Sequence, residues 1–195
     1  MLRKSVVASI LLNKEANPKR KDGKKSMGKY LLFRIDNRLV HGQVCTAWIP
    51  EKGIKRAVII HDEYAQDPFL CDLHEMAVPS GVKCDTITTE EAVKQWKEDQ
   101  FGEDNTIVIF QTPEHAMKAY EEGIRFERIQ VATLAGEKNS VCVYKQVNVS
   151  PERAKVFQEM DSKGIQVYCQ MFPADAETSM MELLDQPRNK KALGI

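Results

Sequence analysis

Short runs of residues typical of β-strands alternate with segments of helical character from residue 30 onward. Seven runs predict strands, and apolar centres such as Val58-Ile59-Ile60 suit strands that are buried on both faces. The predicted strands are residues 30–36, 55–61, 82–87, 106–111, 128–133, 141–147 and 165–171. Because strands that alternate with helices build a mostly parallel sheet, we predict a single α/β domain: an open, twisted sheet of about seven strands with helices on both faces.

Capping signals predict where several helices begin. Asp67, Thr112 and Ser150 each precede a proline, and such a side chain followed by proline is typical of the first turn of a helix. We expect five or six helices in total. Between residues 131 and 147 no insert is long enough for a helix, so we expect a hairpin or an antiparallel strand there.

Charge is distributed unevenly along the chain. The 28 basic and 28 acidic residues balance overall, but residues 1–29 hold nine Lys or Arg and two Asp or Glu. Residues 30–195 therefore carry 19 basic and 26 acidic side chains, a net charge of −7. We interpret residues 1–28 as a flexible basic extension and residues 29–195 as the folded domain. A net-negative domain argues against nucleic-acid binding, because affinity for a phosphate backbone comes from clustered Lys and Arg.

The cysteines and the hydropathy pattern indicate a cytoplasmic protein. The five cysteines include no C-x-x-C pair, and an odd number cannot close into a complete set of intrachain disulfides. No stretch approaches the roughly 20 apolar residues that a membrane-spanning helix needs. The apolar run at residues 6–12 is short for a secretory signal, and no convincing cleavage site follows it.

Ionisable residues concentrate where the first predicted strand gives way to a helix. The sequence there reads Arg34-Ile35-Asp36-Asn37-Arg38-Leu39-Val40-His41-Gly42-Gln43-Val44. Ligands of open α/β sheets bind beyond the carboxyl ends of the strands, and the start of a helix favours a phosphate. A lone histidine is more often structural, but two arginines, an aspartate and a glycine surround this one. The segment therefore indicates a phosphoryl site.

Each of these side chains suits a step of phosphoryl transfer. A neutral imidazole such as His41 is a good nucleophile near pH 7, and Asp36 can fix its tautomer. Arg34 and Arg38 can make charge-assisted contacts to phosphate oxygens, while Gly42 allows close approach of the backbone. Phosphoryl transfer needs mainly positioning and charge neutralisation, which this cluster can supply without a metal.

The segment from Arg34 to Val44 resembles the phosphorylation-site motif of the IIB component of the mannose/fructose/sorbose family of the bacterial phosphoenolpyruvate-dependent sugar phosphotransferase system. Further similarity lies at Asp62-Glu63, Asp67-Pro68, Thr112-Pro113 and residues 147–151 and 163–165. It covers roughly residues 29–186. The chain departs from the family pattern in two places. Asn37 stands where an acidic residue is usual, and a glycine-rich stretch of the family is replaced by Ala132-Thr133-Leu134-Ala135-Gly136.

The resemblance implies a mostly parallel α/β fold and a phosphohistidine intermediate. His41 would take a phosphoryl group at Nδ1 from the IIA component and pass it to a sugar presented by the membrane components IIC and IID, with no metal or nucleotide cofactor. Catalytic roles fall to His41, Arg38 and Asp36, and phosphate binding to Arg34, Gly42 and Gln43. The domain would associate peripherally with the membrane components. The sugar, whether mannose, fructose, sorbose or an amino sugar, and assembly into a homo-oligomer stay open.

Two other classes of function also stay open. Cys45 lies four residues after His41, so the pair could form the dyad of a thiol enzyme on a helix start. Alternatively, the chain is a regulatory or binding module that kept the fold without turnover. Cys71 and His74 have helical spacing, but a zinc site needs three or four converging ligands, so we expect no metal site.

Overall fold

The computed structural model describes residues 29–195, so the predicted basic extension at residues 1–28 lies outside the described part. Within it, nine strands and seven α-helices follow one another. The strands are β1 (Leu31–Asp36), β2 (Arg56–Ile60), β3 (Lys83–Ile87), β4 (Thr106–Phe110), β5 (Arg128–Thr133), β6 (Val141–Tyr144), β7 (Val147–Val149), β8 (Gln166–Cys169) and β9 (Thr178–Ser179). The helices are α1 (Ile49–Lys52), α2 (Pro68–Ala77), α3 (Thr89–Asp99), α4 (Pro113–Glu122), α5 (Pro151–Ser162), α6 (Met180–Asp185) and α7 (Pro187–Leu193).

Seven strands form one sheet in the order β3-β2-β4-β1-β5-β8-β9. The first six are parallel, and β9 pairs antiparallel with β8. The predicted sheet is confirmed, but its seventh member is β9. The predicted strand 141–147 instead divides into β6 and β7, a separate antiparallel pair, because the chain reverses at Lys145, whose φ is 36°. The expectation of a hairpin in this region is confirmed.

Alternate side chains of the central strands point to opposite faces, and helices cover both faces. On one face, Val58 and Phe110 pack with residues of α3 to α6. On the other, Ile59 and Ile107 pack around Trp48, in the helical segment that precedes and includes α1. The α2 helix lies on this second face, where His74 contacts the hydroxyl of Thr86 in β3 at 2.9 Å. The predicted helices on both faces are therefore confirmed.

The predicted helix starts are confirmed by side-chain caps. Asp67 accepts hydrogen bonds from two backbone N–H groups of α2, and Thr112 and Ser150 each accept one at the start of α4 and α5. Residues 29–195 contain seven α-helices instead of five or six, partly because the C-terminal helical stretch divides before Pro187. A residue that precedes proline is disfavoured in the helical conformation, and Gln186 is accordingly non-helical. None of the helices in residues 29–195 is both long and apolar enough to cross a bilayer.

Candidate functional site

The predicted site lies at the carboxyl end of β1, in the middle of the sheet. After β1 the chain enters β2, which lies on one side of β1 with β4 between the two strands. After β4 the chain crosses to β5, which lies on the other side of β1. Such a reversal leaves a crevice at the carboxyl edge of the sheet. Asp36 ends β1, His41 follows a short loop, and residues 42–52 are helical, with a π-helical segment at Val44–Trp48. The predicted placement at a strand end before a helix is confirmed.

A buried ion pair supports this loop from below. Arg34 donates from Nη2 and Nε to Asp36 Oδ2, at 2.9 and 3.2 Å, and both side chains are fully buried. Burial lowers the pKa of Arg34, and the charge of Asp36 opposes that shift. Because the guanidinium of Arg34 has no exposed surface, it lies beneath the loop and supports it through Asp36. Its direct contact with a phosphate stays a prediction.

Asp36 holds the loop in shape through its second oxygen. Oδ1 accepts hydrogen bonds from the backbone N–H of Arg38 at 3.1 Å and from the hydroxyl of Thr133 at 2.7 Å. Oδ2 lies 3.9 Å from Nδ1 of His41, beyond hydrogen-bonding distance. Asp36 is expected either to order the loop or to orient the imidazole. Its contacts to the loop are within hydrogen-bonding distance and its contact to the imidazole is not, so the structure favours the first role.

The imidazole of His41 is oriented by a backbone carbonyl. Its Nδ1 lies 2.9 Å from the carbonyl oxygen of Leu39 and donates to it in the neutral ring. Leu39 has a φ of 55°, a left-handed conformation that costs a leucine energy. The other nitrogen, Nε2, is buried without a hydrogen-bond partner, and 18% of the side chain is exposed. In this arrangement Nε2 therefore carries the free lone pair.

Arg38 is the cation of the loop that reaches solvent. Its side chain is 41% exposed, its Nε lies 3.7 Å from Oδ1 of Asp36, and its Nη2 donates to Oε1 of Gln43 at 3.1 Å. The same amide oxygen accepts from Arg34 at 3.3 Å, so Gln43 links the buried and the exposed guanidinium. A Cβ atom added at Gly42 would meet nothing within 4 Å, which leaves the backbone there open to a ligand.

Three further residues complete the site from outside the motif. Gln130 of β5 accepts a hydrogen bond from Nη1 of Arg34, and Thr133 holds Asp36. The ring of Trp48 lies under the Arg34 guanidinium, 5.3 Å from centroid to Cζ. Sequence reasoning missed these contacts, although a glutamine inside the apolar run of β5 was a signal, because a buried amide needs a partner.

Cys45 is poorly suited to act as a nucleophile with His41. Its thiol donates to the carbonyl of Ala77 in α2 at 3.2 Å, and burial raises its pKa. A raised pKa reduces the thiolate fraction, which is the reactive form. The hydrogen bond and the raised pKa therefore give no support to the thiol-enzyme alternative.

A second polar cluster lies along the same edge of the sheet, at the ends of β2 and β4. His61 stacks on Tyr64, with centroids 3.7 Å apart, and contacts Oε1 of Gln111 at 3.0 Å. His115 packs edge-on against His61, and burial lowers its pKa, which favours a neutral ring. Asp62 accepts from the backbone N–H of Thr89 at 2.7 Å and thereby caps the start of α3.

The fold and the loop together define an α/β protein with a partly exposed histidine above a buried Arg–Asp pair at the switch point of a parallel sheet. The chain belongs to the sorbose subfamily of IIB components of the sugar phosphotransferase system, whose family model matches residues 30–193.

Relatives of this chain cover most of the same residues. The chain is 25% identical over 158 residues to the fructose-specific EIIB component of Bacillus subtilis, covering 81% of this chain and 97% of the relative. It is 24% identical over 155 residues to the mannose-specific EIIAB component of Escherichia coli K12, covering 80% of this chain but 48% of the relative. The crystal structure of the IIB domain of the sorbose permease of Klebsiella pneumoniae shares the fold, with a TM-score of 0.74 and 23% identity over 81% of this chain and 98% of that one.

Proposed function

We propose that this protein is a phosphocarrier in which His41 accepts a phosphoryl group from the phosphohistidine of a IIA component and transfers it to a sugar imported through the IIC and IID components. The observation that carries this proposal is the His41 loop, which the buried Arg34–Asp36 pair anchors and from which Arg38 reaches solvent. Membership of the IIB family supports it. This function requires the domain to work at the cytoplasmic side of the membrane components.

The two transfer steps need no reacting group beyond His41, the phosphohistidine of the donor and the sugar hydroxyl. In the first, a ring nitrogen of His41 uses its lone pair to form an N–P bond while the P–N bond of the donor breaks and returns its electron pair to the donor imidazole. The proton of His41 stays on the other ring nitrogen, and the donor leaves as a neutral imidazole because its other nitrogen carries a proton. In the second, a sugar hydroxyl oxygen bonds to phosphorus, the N–P bond breaks and returns its electron pair to the imidazole of His41, and the hydroxyl proton passes to solvent.

The nitrogen that reacts is part of the proposal. The family pattern implies Nδ1, whereas in the described conformation Nδ1 faces the carbonyl of Leu39. Phosphorylation at Nδ1 therefore requires the ring to turn about the Cβ–Cγ bond and to carry its proton on Nε2. Loss of the single hydrogen bond to Leu39 is a small cost, since a typical hydrogen bond contributes about 1 kcal/mol net.

The names of the relatives leave the sugar open. They include fructose-, mannose- and sorbose-specific components and an N-acetylgalactosamine-specific one, all at 22 to 25% identity. We therefore propose a sugar hydroxyl as the acceptor without naming the sugar.

Phosphorylation by the donor cascade tests the proposal directly. The protein is incubated with phosphoenolpyruvate, enzyme I, HPr and a IIA protein of the same class, and its intact mass is followed under alkaline conditions that preserve phosphohistidine. We expect a gain of one phosphoryl group. If two different IIA proteins that are themselves phosphorylated produce no gain, the protein is a binding module without turnover and the proposal is wrong.

Replacing Arg38 with alanine should slow the transfer by about a hundredfold, because a cation aimed at the transferring oxygens is lost. The side chain is 41% exposed, so the free energy of unfolding should change by about 0.5 kcal/mol or less. Rapid-quench kinetics and urea unfolding measure the two effects. Arg38→Lys keeps the charge without the bidentate geometry, so its transfer rate should lie between those of the wild-type protein and Arg38→Ala. A normal rate in Arg38→Ala would remove this residue from the proposed mechanism.

A further inference from the structure

A buried chain of hydrogen bonds leads away from the candidate site across β5 and β8. Gln130 of β5, which accepts from Nη1 of Arg34, donates from its own Nε2 to Oε1 of Gln170 at 2.9 Å. Gln170 follows β8, and its Nε2 donates to the backbone carbonyls of Asp175 at 2.9 Å and of Pro173 at 3.4 Å. Gln130 has no exposed surface, and Gln170 is 8% exposed. We call these two amides the glutamine relay.

The two ends of the glutamine relay fix how each amide is turned. A guanidinium has donors and no acceptor, so Gln130 must present its oxygen to Arg34 and its nitrogen to Gln170. A backbone carbonyl accepts and cannot donate, so Gln170 must present its oxygen to Gln130 and its nitrogen to the carbonyls. Each amide therefore has one orientation in which its partners are satisfied. A turned amide at either position would leave buried polar groups unpaired, which is costly.

The far end of the glutamine relay is the loop between β8 and β9, and other contacts hold that loop. The carbonyl of Met171 accepts from the indole Nε1 of Trp48 at 3.0 Å. The carboxylate of Asp175 accepts from the backbone N–H of Phe172 at 3.0 Å and from Nζ of Lys145 at 2.6 Å. These contacts do not depend on the two amides, so the glutamine relay ends on an independently held support.

The near end of the glutamine relay is the guanidinium that supports the His41 loop. Arg34 donates through Nε and Nη2 to one oxygen of Asp36. The other oxygen of Asp36 accepts from the backbone N–H of Arg38, within the loop that carries His41. The glutamine relay holds the same guanidinium through Nη1 and, being uncharged, does not compete with Asp36 for its charge. A misplacement of about 1 Å can slow a transfer by about a hundredfold, so a group that fixes Arg34 also affects the rate.

We propose that Gln170 is a positioning residue for phosphoryl transfer, which acts through Gln130 and Arg34 on the geometry of the His41 loop. This inference rests on the proposed function. Gln170 supplies the acceptor for Nε2 of Gln130. Once that acceptor is removed, the amide of Gln130 can turn, and it then no longer fixes the guanidinium of Arg34 from the side of β5.

Single-turnover kinetics test this role. Gln170→Met keeps the length of the side chain and removes its hydrogen bonds. Transfer from phosphorylated IIA protein is followed by rapid quench, which gives the rate at saturating donor and the donor concentration at half saturation. The matched control is Gln95→Met on α3, because Gln95 also links a guanidinium, that of Arg56, to an acceptor, the carboxylate of Glu91.

We expect the saturating transfer rate to fall about tenfold in Gln170→Met, with the half-saturating donor concentration unchanged. Both values should stay unchanged in Gln95→Met. In an Arg34→Met/Asp36→Leu background, Gln170→Met should change the rate less than about twofold, because the glutamine relay then has no guanidinium to position. A substitution that only loosened the fold would have the same effect in both backgrounds.

An unchanged saturating rate in Gln170→Met, a change in the half-saturating concentration alone, or an equal fall in both backgrounds or in Gln95→Met would overturn the inference. Each of these results would leave the proposed function intact. If Gln170→Met fails to fold, Gln170→Asn takes its place with the same expected results, because an amide one methylene shorter cannot reach both Gln130 and the loop carbonyls. If the donor cascade does not phosphorylate the wild-type protein, the proposed function fails, and the inference with it.

Discussion

Replacing His41 with alanine should abolish the gain of a phosphoryl group from the donor cascade. Among residues 29–195, the neighbours of His41 cannot take over: Arg38 and Arg34 are cations without a lone pair to offer, and the carboxylate of Asp36 is fully buried under four hydrogen bonds. Intact-mass measurement under alkaline conditions should therefore detect no phosphorylated species, at a donor concentration that phosphorylates the wild-type protein completely.

The same variant should remain folded. His41 makes one side-chain hydrogen bond, to the carbonyl of Leu39, and its buried Nε2 has no partner, so truncation removes an unsatisfied polar atom together with the ring. We expect the free energy of unfolding to change by about 1 kcal/mol or less. Urea unfolding followed by circular dichroism measures this change.

A second histidine provides the matched control. His115→Gln replaces a half-buried imidazole on α4, in the separate cluster beside His61, and should leave transfer unchanged. If His41→Ala still gained a phosphoryl group, the intermediate would lie on another residue, and alkylation of Cys45 would then show whether a thiol carries it.

Local patterns were enough to predict most of the fold. Six of the predicted runs correspond to the strands β1 to β5 and β8, and the caps at Asp67, Thr112 and Ser150 are observed because they depend on neighbours within three residues. Prediction failed where tertiary context decides. The run at 141–147 has strand composition throughout, but the chain reverses at Lys145. The two residues of β9 have no apolar run at all and pair only because the loop after β8 returns to the sheet edge.

The same distinction holds in the site. Arg34, Asp36, Arg38, His41 and Gln43 lie within ten residues of one another, so a sequence motif reveals them together. Gln130 and Thr133 are 96 and 97 residues away from the partners that they contact, and they arrive there through the parallel register of β5 on β1. The burial of Arg34 is likewise a product of that packing. A pattern of residue types cannot distinguish a guanidinium beneath the loop from one that faces the phosphate.

Replacing Asp36 with alanine should cause a large loss of stability. The substitution leaves the guanidinium of Arg34 fully buried with only neutral partners, the amides of Gln43 and Gln130. Removing one member of a buried ion pair costs about 3–5 kcal/mol, a large share of the roughly 5–15 kcal/mol that stabilises a typical domain. Urea unfolding at pH 7 measures the loss. Glu177→Ala is the control, because it breaks an ion pair with Arg128 in which both side chains are about half exposed. This substitution should cost about 1 kcal/mol or less.

The double variant Arg34→Met/Asp36→Leu distinguishes stability from function and keeps the prediction testable if Asp36→Ala fails to fold. With both charges removed, no buried ion is left unpaired, so the double variant should be more stable than Asp36→Ala despite carrying two substitutions. Transfer should nevertheless stay about a hundredfold slower than in the wild-type protein, because the backbone of Arg38 has lost its anchor on Asp36 and the loop no longer holds the transfer geometry. If the double variant transferred at the wild-type rate, the buried pair would serve only stability, and the position of His41 would depend on the carbonyl of Leu39 alone.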